Sequence, residues 1–237
     1  MRIAALSLLL LAAPPAVGEV VFDPTAVGIT TAASGARAVR AADMDADGDL
    51  DLISASYFDD KVAWYENTAG DGSAWSARPV ARDARGASDV VVGDLDADGD
   101  PDLVFAAEGD DSVVWAQNQG GGRSFTLEVL AREVRGARTV AVADVDGDAD
   151  LDVLSGAGFD GVVAWHENLD GRAGRFRAHR ITHEAPGVRA VAPVDVDGDG
   201  DVDVVIAAFF AERASWFENS AGDGTAWIAR GVGNVAQ

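Results

Sequence analysis

The chain has 237 residues, of which 48% are apolar, so it is long enough to bury a substantial core. Its 40 acidic residues against 18 basic ones give a formal net charge of −22, which disfavours nucleic acid and anionic membranes as partners and favours metal cations. The absence of cysteine excludes disulfides and thiolate zinc sites as sources of stability.

The N-terminus has the features of a secretory signal peptide. Arg2 precedes an apolar run over residues 3–13, and small residues follow at 16–18. This run is too short for a transmembrane helix, which needs about twenty residues. We therefore predict a signal peptide over 1–18, no membrane insertion, and a secreted, extracellular mature chain that begins near Glu19.

Residues 19–237 contain a unit of about fifty residues that recurs four times. A loop of pattern Asp-x-Asp-x-Asp-x-Asp-x-Asp marks each unit. A tryptophan follows the start of the loop by about twenty residues, and an asparagine follows that tryptophan three residues later. Such regular recurrence indicates a repeat protein. The loops occupy 43–51, 94–102, 144–152 and 195–203, the tryptophans are Trp64, Trp115, Trp165 and Trp216, and the asparagines are Asn67, Asn118, Asn168 and Asn219.

The elements of one unit, taken in chain order in the second repeat, have the pattern of strands. An apolar segment over 89–92 precedes the acidic loop, and a second over 103–107 follows it. A third segment over 112–115 comes after a turn-forming stretch, and a fourth over 124–130 alternates apolar and polar residues. No segment shows helical periodicity. We predict an all-β fold of four β-propeller blades, each with four antiparallel strands.

The acidic loops have the composition of calcium sites. Ca²⁺ takes six to eight oxygen ligands, and carboxylates at loop positions 1, 3, 5 and 9 can converge with a carbonyl from position 7. Without a cation, two carboxylates about 6 Å apart would repel each other by roughly 3 kcal/mol at an effective dielectric constant near 20. We therefore predict about four Ca²⁺ ions, one in each repeat. The candidate ligands are Asp43, Asp45, Asp47, Asp49 and Asp51; Asp94, Asp96, Asp98, Asp100 and Asp102; Asp144, Asp146, Asp148, Asp150 and Asp152; and Asp195, Asp197, Asp199, Asp201 and Asp203.

The third loop differs from the others at position 6. Tight winding requires a positive φ there, and Gly48, Gly99 and Gly200 provide it in the other loops. The third loop has Ala149 instead, which costs on the order of 1 kcal/mol at positive φ, so we predict that this site is the weakest. An EF-hand is excluded because position 12 is never glutamate and strands flank the loops.

The loop, its spacing and the stretch Val-Ala-Trp-Tyr-Glu-Asn over 62–67 resemble the FG-GAP/VCBS repeat family, which includes the propeller head of integrin α chains. The resemblance covers nearly all of residues 20–237. It implies calcium loops between the first and second strands of each blade, with side-chain ligands at positions 1, 3, 5 and 9 and a carbonyl ligand at position 7. Integrin-like propellers have seven blades, whereas this chain has four such loops.

The number of outer-strand aromatic residues predicts an incomplete or open propeller. An aromatic residue recurs in the predicted outer strand of the repeats. It occurs five times, whereas the acidic loop occurs four times, so one outer strand is surplus in a ring of four blades. A ring of seven blades would need roughly 350 residues. We expect a fragment of a longer propeller or self-association through open blade edges. The five aromatic residues are Phe22, Trp75, Phe125, Phe176 and Trp227.

The sequence favours binding over catalysis. His166 occupies the position of Tyr65, Ala116 and Phe217 in the other repeats, and the paired acids are better explained as calcium ligands than as general acids and bases. We predict a non-catalytic adhesion or recognition module for an extracellular protein or a glycan. The alternative is the propeller domain of a polysaccharide-active enzyme such as a lyase, because some lyases resemble calcium-bearing propellers.

The loops opposite the acidic ones carry aromatic and basic residues. We predict that the aromatic residues bind the ligand. Arginines that recur at one equivalent position either serve an acidic ligand or bridge neighbouring blades. The aromatic residues are Tyr57, Phe58, Phe159, Phe209 and Phe210, and the recurring arginines are Arg37, Arg138 and Arg189.

Overall fold

A computed structural model of the chain describes residues 28–231, and these fold into sixteen β-strands and one 3₁₀ turn over Glu108–Asp110. The predicted signal peptide lies outside the described residues. The strands of the first two repeats are β1 (Ala36–Ala42), β2 (Asp51–Ser56), β3 (Lys61–Asn67), β4 (Trp75–Ala81), β5 (Ala87–Gly93), β6 (Asp102–Ala107), β7 (Ser112–Asn118) and β8 (Phe125–Ala131). Those of the last two are β9 (Ala137–Ala143), β10 (Asp152–Ala157), β11 (Val162–Asn168), β12 (Phe176–Thr182), β13 (Val188–Val194), β14 (Asp203–Ala208), β15 (Arg213–Asn219) and β16 (Trp227–Gly231).

Each repeat forms one antiparallel sheet in which the four strands are neighbours in chain order. The second and third strands are apolar on both faces, as in β6, which is buried along its whole length. The residues of the outermost strand are mostly exposed or partly buried, because this strand lies at the solvent-exposed edge of the sheet. The predicted all-β fold of four four-stranded antiparallel blades is therefore confirmed.

The sheets pack face to face in chain order, and the recurring tryptophan fills the space between them. Trp64 packs with Val90 and Phe105 of the following sheet. The equivalent tryptophans of the second and third repeats belong to the corresponding clusters at the next two interfaces. Trp64 is 1% exposed, and full burial of a large side chain contributes on the order of 2–3 kcal/mol. The tryptophans of the first three repeats are thus core residues between blades, whereas Trp216 of the last repeat is partly buried.

Each of the two end sheets has one face that no other described sheet covers, and the described sheets do not close into a ring. Val196 of the fourth repeat is 44% exposed, whereas the equivalent Val145 of the third repeat is 1% exposed. At the other end, Val39 is 61% exposed, whereas the equivalent Val90 is fully buried. The first strands contact one another in the sequence β1, β5, β9 and β13. The prediction of an open propeller is therefore confirmed. Within residues 28–231 we find no helix with the length and apolarity needed to cross a bilayer.

Candidate metal centres

Each acidic loop connects the first and second strands of its sheet, as the resemblance implies. In the first repeat, Asp43 follows the end of β1 and Asp51 begins β2. Hydrogen bonds from backbone N–H groups to a carboxylate stabilise the tight turn of this loop. The Asp43 carboxylate accepts hydrogen bonds from the backbone N–H groups of Asp47 at 3.2 Å and Gly48 at 3.0 Å. Both contacts recur in the second and third loops. In the fourth loop the position-6 contact recurs, but Asp195 Oδ1 accepts from the Gly198 backbone N–H at position 4.

The winding places two residues of each loop at positive φ, at positions 4 and 6. In the third loop Ala149 has a φ of 76°, so the alanine predicted to be strained does adopt this conformation. The first two loops have the reverse arrangement, with Ala46 and Ala97 at φ values of 60° and 57° at position 4. One alanine is therefore strained in each of the first three loops, and this cost is not unique to the third. The weaker affinity of the third loop stays a prediction.

The aspartate at position 9 is a buried structural brace as well as a candidate ligand. Asp102 is fully buried, and its Oδ1 accepts a hydrogen bond from the Asn118 backbone N–H at 2.7 Å. Its Oδ2 accepts from the Leu95 backbone N–H at 3.2 Å and from Trp115 Nε1 at 2.9 Å. The backbone contacts recur at the other position-9 aspartates, which are Asp51, Asp152 and Asp203.

From the second repeat onwards, the recurring asparagine joins each repeat to the acidic loop of the repeat before it. Asn118 Nδ2 donates to the carbonyl oxygen of Met44, which lies in the first acidic loop, at 3.2 Å. Asn168 and Asn219 make the same contact with the second and third loops, at 2.9 and 3.0 Å. The sequence alone indicates no role for these asparagines beyond their recurrence.

Three carboxylates converge in each acidic loop, with ligand atoms within 4.8 Å of one another. In the first three loops they come from positions 1, 3 and 9, and in the fourth from positions 1, 3 and 5. The position-5 aspartates of the first three loops and all position-7 side chains lie outside these groups. The fourth group is exposed, because no described sheet follows it. The groups are Asp43, Asp45 and Asp51; Asp94, Asp96 and Asp102; Asp144, Asp146 and Asp152; and Asp195, Asp197 and Asp199.

Carboxylate burial and crowding make these groups difficult to ionise without a cation. Burial raises the pKa of Asp152 to about 7 and that of Asp102 to about 6, although backbone N–H groups stabilise both anions. Burial and the neighbouring Asp148 raise the pKa of Asp150 to about 6. Asp45 Oδ1 and Asp96 Oδ1 are buried without a hydrogen-bond donor. An all-oxygen donor set with unpaired buried oxygens fits a hard divalent cation.

The predicted ligand-binding aromatic residues lie at the edge opposite the acidic loops, in the turns between the second and third strands. Four of them are between 64% and 73% exposed, namely Phe58, Phe159, Phe209 and Phe210. Tyr57 is partly buried, with the Arg37 guanidinium carbon 3.4 Å from its ring centroid.

Two of the recurring arginines bridge blades through one carboxylate. Glu108 Oε2, in the second repeat, accepts hydrogen bonds from Arg37 Nη1 of the first repeat at 2.9 Å and Arg138 Nη1 of the third at 2.7 Å. Arg189 instead lies over the Phe209 ring at 5.3 Å from its centroid. Of the two roles considered for these arginines, bridging thus applies to the first two.

A buried serine–histidine pair in the third repeat has the geometry of a core contact. Ser155 Oγ lies 2.9 Å from His166 Nε2, and both residues are buried. In the first repeat the equivalent residues Ser54 and Tyr65 make the same contact at 3.2 Å. Burial lowers the pKa of His166 to about 4, so this histidine is neutral at physiological pH. The pair therefore satisfies polar groups in the core.

Comparison with known proteins agrees with this architecture. The sequence profile described as FG-GAP-like repeat matches residues 43–105, 94–155 and 150–206. A search of curated proteins found no match. A crystal structure of a protein from Lactobacillus plantarum is similar, with a TM-score of 0.53 and 15% identity over 80% of this chain and 53% of that one. BBS1N, in its complex with ARL6DN, is similar with a TM-score of 0.53 and 12% identity over 84% of this chain and 58% of that one.

At these identities the structural similarity concerns the fold alone. This chain spans a little over half the length of either structure. The profile, by contrast, matches three consecutive stretches that contain all four acidic loops and most of the described strands. The chain belongs to the FG-GAP-like repeat family.

Proposed function

We propose that this chain is a calcium-binding, non-catalytic recognition module that acts outside the cell. The observation that carries the metal assignment is the convergence of three carboxylates in each loop, together with buried oxygens such as Asp45 Oδ1 that lack a hydrogen-bond donor. Bound Ca²⁺ would supply the positive charge that offsets their mutual repulsion.

Calcium suits these loops better than magnesium does. Magnesium keeps several waters and is bound through one or two carboxylates, whereas calcium accepts many protein oxygens at flexible angles. The first loop offers the carboxylates of Asp43, Asp45 and Asp51, and the carbonyl of Asp49 is a further candidate from the same winding. Since Asp51 also braces β2 and the neighbouring backbone, metal binding is coupled to the stability of the blade.

The ligand surface in this proposal is the edge opposite the metal loops. Four exposed phenylalanines on short turns, held by a rigid β scaffold, provide apolar contact area of the kind that recognition surfaces use. Phe209 and Phe210 lie with ring centroids 5.3 Å apart and form an exposed aromatic pair. A glycan or an extracellular protein is the proposed ligand.

A calcium titration with matched aspartate variants tests the metal assignment. We expect Asp45→Asn to remove one binding site per chain and leave the others, because each loop binds through its own carboxylates. Asp83→Asn is the control, since Asp83 is an exposed residue between β4 and β5, outside the acidic loops. Equal stoichiometry in the two variants would refute the assignment.

Two further experiments test the extracellular and non-catalytic parts of the proposal. Expression in a secreting host, followed by N-terminal sequencing of the exported protein, is expected to give a chain that starts near Glu19. Incubation with acidic polysaccharides is expected to release no unsaturated products. Export of an uncleaved chain would contradict the signal peptide, and product release would favour the lyase alternative.

A further inference from the structure

The first strands of the four sheets surround a cavity that is basic, although the protein as a whole is strongly acidic. The cavity has a volume of about 470 Å³ and is lined by β1, β5, β9 and β13. Four arginines line it, and Asp89 is the one acidic residue among its described lining residues. We call it the arginine cavity. Its arginines are Arg37, Arg40, Arg138 and Arg189.

The carboxylates near the arginine cavity do not neutralise it. Asp89 pairs with Arg40 at 2.9 Å and also accepts a hydrogen bond from Thr139 Oγ1. Glu108 is shared, because the same oxygen accepts from both Arg37 and Arg138. One carboxylate therefore serves two guanidinium groups, and an excess of positive charge remains.

Arg189 carries much of this excess. It forms no ion pair within residues 28–231, and its exposed side chain lies over the Phe209 ring. Burial, followed by repulsion from Arg189 and Arg37, lowers the pKa of Arg138 despite the attraction of Glu108. The Arg138 guanidinium is therefore close enough to those of Arg189 and Arg37 to be repelled by both, and an anion between them would relieve this repulsion.

We propose that the arginine cavity binds the carboxylate or sulfate groups of an anionic glycan, which deepens the recognition function proposed above and rests on it. Guanidinium groups form paired, charge-assisted hydrogen bonds with such anions. Phe209 lies beside Arg189 and Phe210 lies next to Phe209, so the pair offers exposed aromatic surface for the apolar face of a sugar ring. The cavity volume lies within the range of small-molecule sites.

The charge distribution favours this ligand over other polyanions. A net charge of −22 repels nucleic acid and anionic membranes over the outer surface. A local basic cavity, lined by four arginines and one aspartate, still attracts an anionic group that enters it. The acidic loops lie at the opposite edge of the sheets, so bound calcium would not compete for the same anion.

The test is calorimetric titration with oligosaccharides in the presence of calcium. The panel contains a uronate oligosaccharide without sulfate, a sulfated oligosaccharide without uronate, and a neutral oligosaccharide. We expect binding of at least one anionic oligosaccharide, weakened by added salt, and none of the neutral one. The first two members distinguish a carboxylate from a sulfate ligand.

Arg189→Gln is expected to weaken the binding at least tenfold. Arg180→Gln is the matched control, because Arg180 is an exposed arginine of the outer strand β12 and lies outside the cavity. No anionic binding, or equal binding by both variants, would overturn the proposal. Tighter binding of polyglutamate, lost in Arg189→Gln, would overturn it in favour of an acidic peptide. Calcium stoichiometry measured on the same proteins tests the metal assignment independently.

Discussion

Replacement of Asn118 with alanine would test whether the recurring asparagine holds neighbouring blades together. Its side chain is fully buried, with Nδ2 donating to the carbonyls of Met44 and Pro101 and Oδ1 accepting from the Gly122 backbone N–H. Each buried polar group left unpaired costs about 1–3 kcal/mol. We therefore expect Asn118→Ala to lower the free energy of unfolding by about 3–5 kcal/mol.

Asn67 provides the matched control for this experiment. It makes the same bonds within its own repeat, to the Leu50 carbonyl and the Gly72 backbone N–H, but within residues 28–231 no preceding repeat offers it a carbonyl. Asn67→Ala should therefore cost about 1–3 kcal/mol less than Asn118→Ala. The assay is urea unfolding followed by tryptophan fluorescence in saturating calcium. Equal losses in the two variants would refute the bridging role.

Three further predictions concern packing, pH and the open faces. Gly122→Ala should lower the free energy of unfolding by about 2–4 kcal/mol, because the added Cβ would overlap the Trp64 ring at a residue of positive φ. Ala173→Gly, at the equivalent position of the next repeat, should be neutral or stabilising, and urea unfolding measures both. The pH prediction uses metal-free protein carrying His166→Phe, because the lowered pKa of the buried His166 would favour unfolding at low pH and oppose the effect of Asp152. This protein should have a higher melting temperature at pH 5.5 than at pH 7.5. This follows because the raised pKa of Asp152 makes the folded state bind more protons between these values, and a lower melting temperature at pH 5.5 would contradict it. The exposed face around Val196 should cause concentration-dependent association in light scattering, which Val196→Asp should reduce; a wild-type chain that stays monomeric would exclude this.

The sequence was sufficient to predict the blades, because each element repeats. The loop at 43–51, the strands around it and the packing role of Trp64 all follow from spacing and apolar pattern, and the structure confirms them. The open ends were predicted from a count of elements alone. Repetition makes such inferences reliable, since four copies report on the same local geometry.

Contacts between repeats could not be predicted in the same way. The bond from Asn118 to Met44 depends on how one sheet is placed against the next, which sequence spacing does not specify. Glu108 is a second example, because it occurs in one repeat only and binds arginines from the two sheets on either side. The positive φ of Ala46 could not be predicted either, because an alanine at position 4 gives no signal comparable to the glycine at position 6.

The predicted aromatic residues illustrate a third limit. Phe58 is 73% exposed, as a ligand-binding residue would be, but its ring also covers Gly35 at the turn before β1. Phe159 covers Gly136 in the same manner. A sequence pattern does not distinguish an aromatic side chain that packs on its own turn from one that binds a ligand. The ligand-binding role of these phenylalanines therefore stays a prediction.

Thermal unfolding of chelator-treated protein, with and without added metal, is the measurement that tests calcium binding most directly. A cation that binds the folded loops and not the unfolded chain stabilises the folded state by RT ln(1 + c/Kd), where c is the free cation concentration, so the melting temperature rises with the logarithm of that concentration once the sites are mostly filled. We expect a marked increase in melting temperature with Ca²⁺, a smaller one with an equal concentration of Mg²⁺, and reversal by chelator. A melting temperature that calcium leaves unchanged would show that the loops do not bind it.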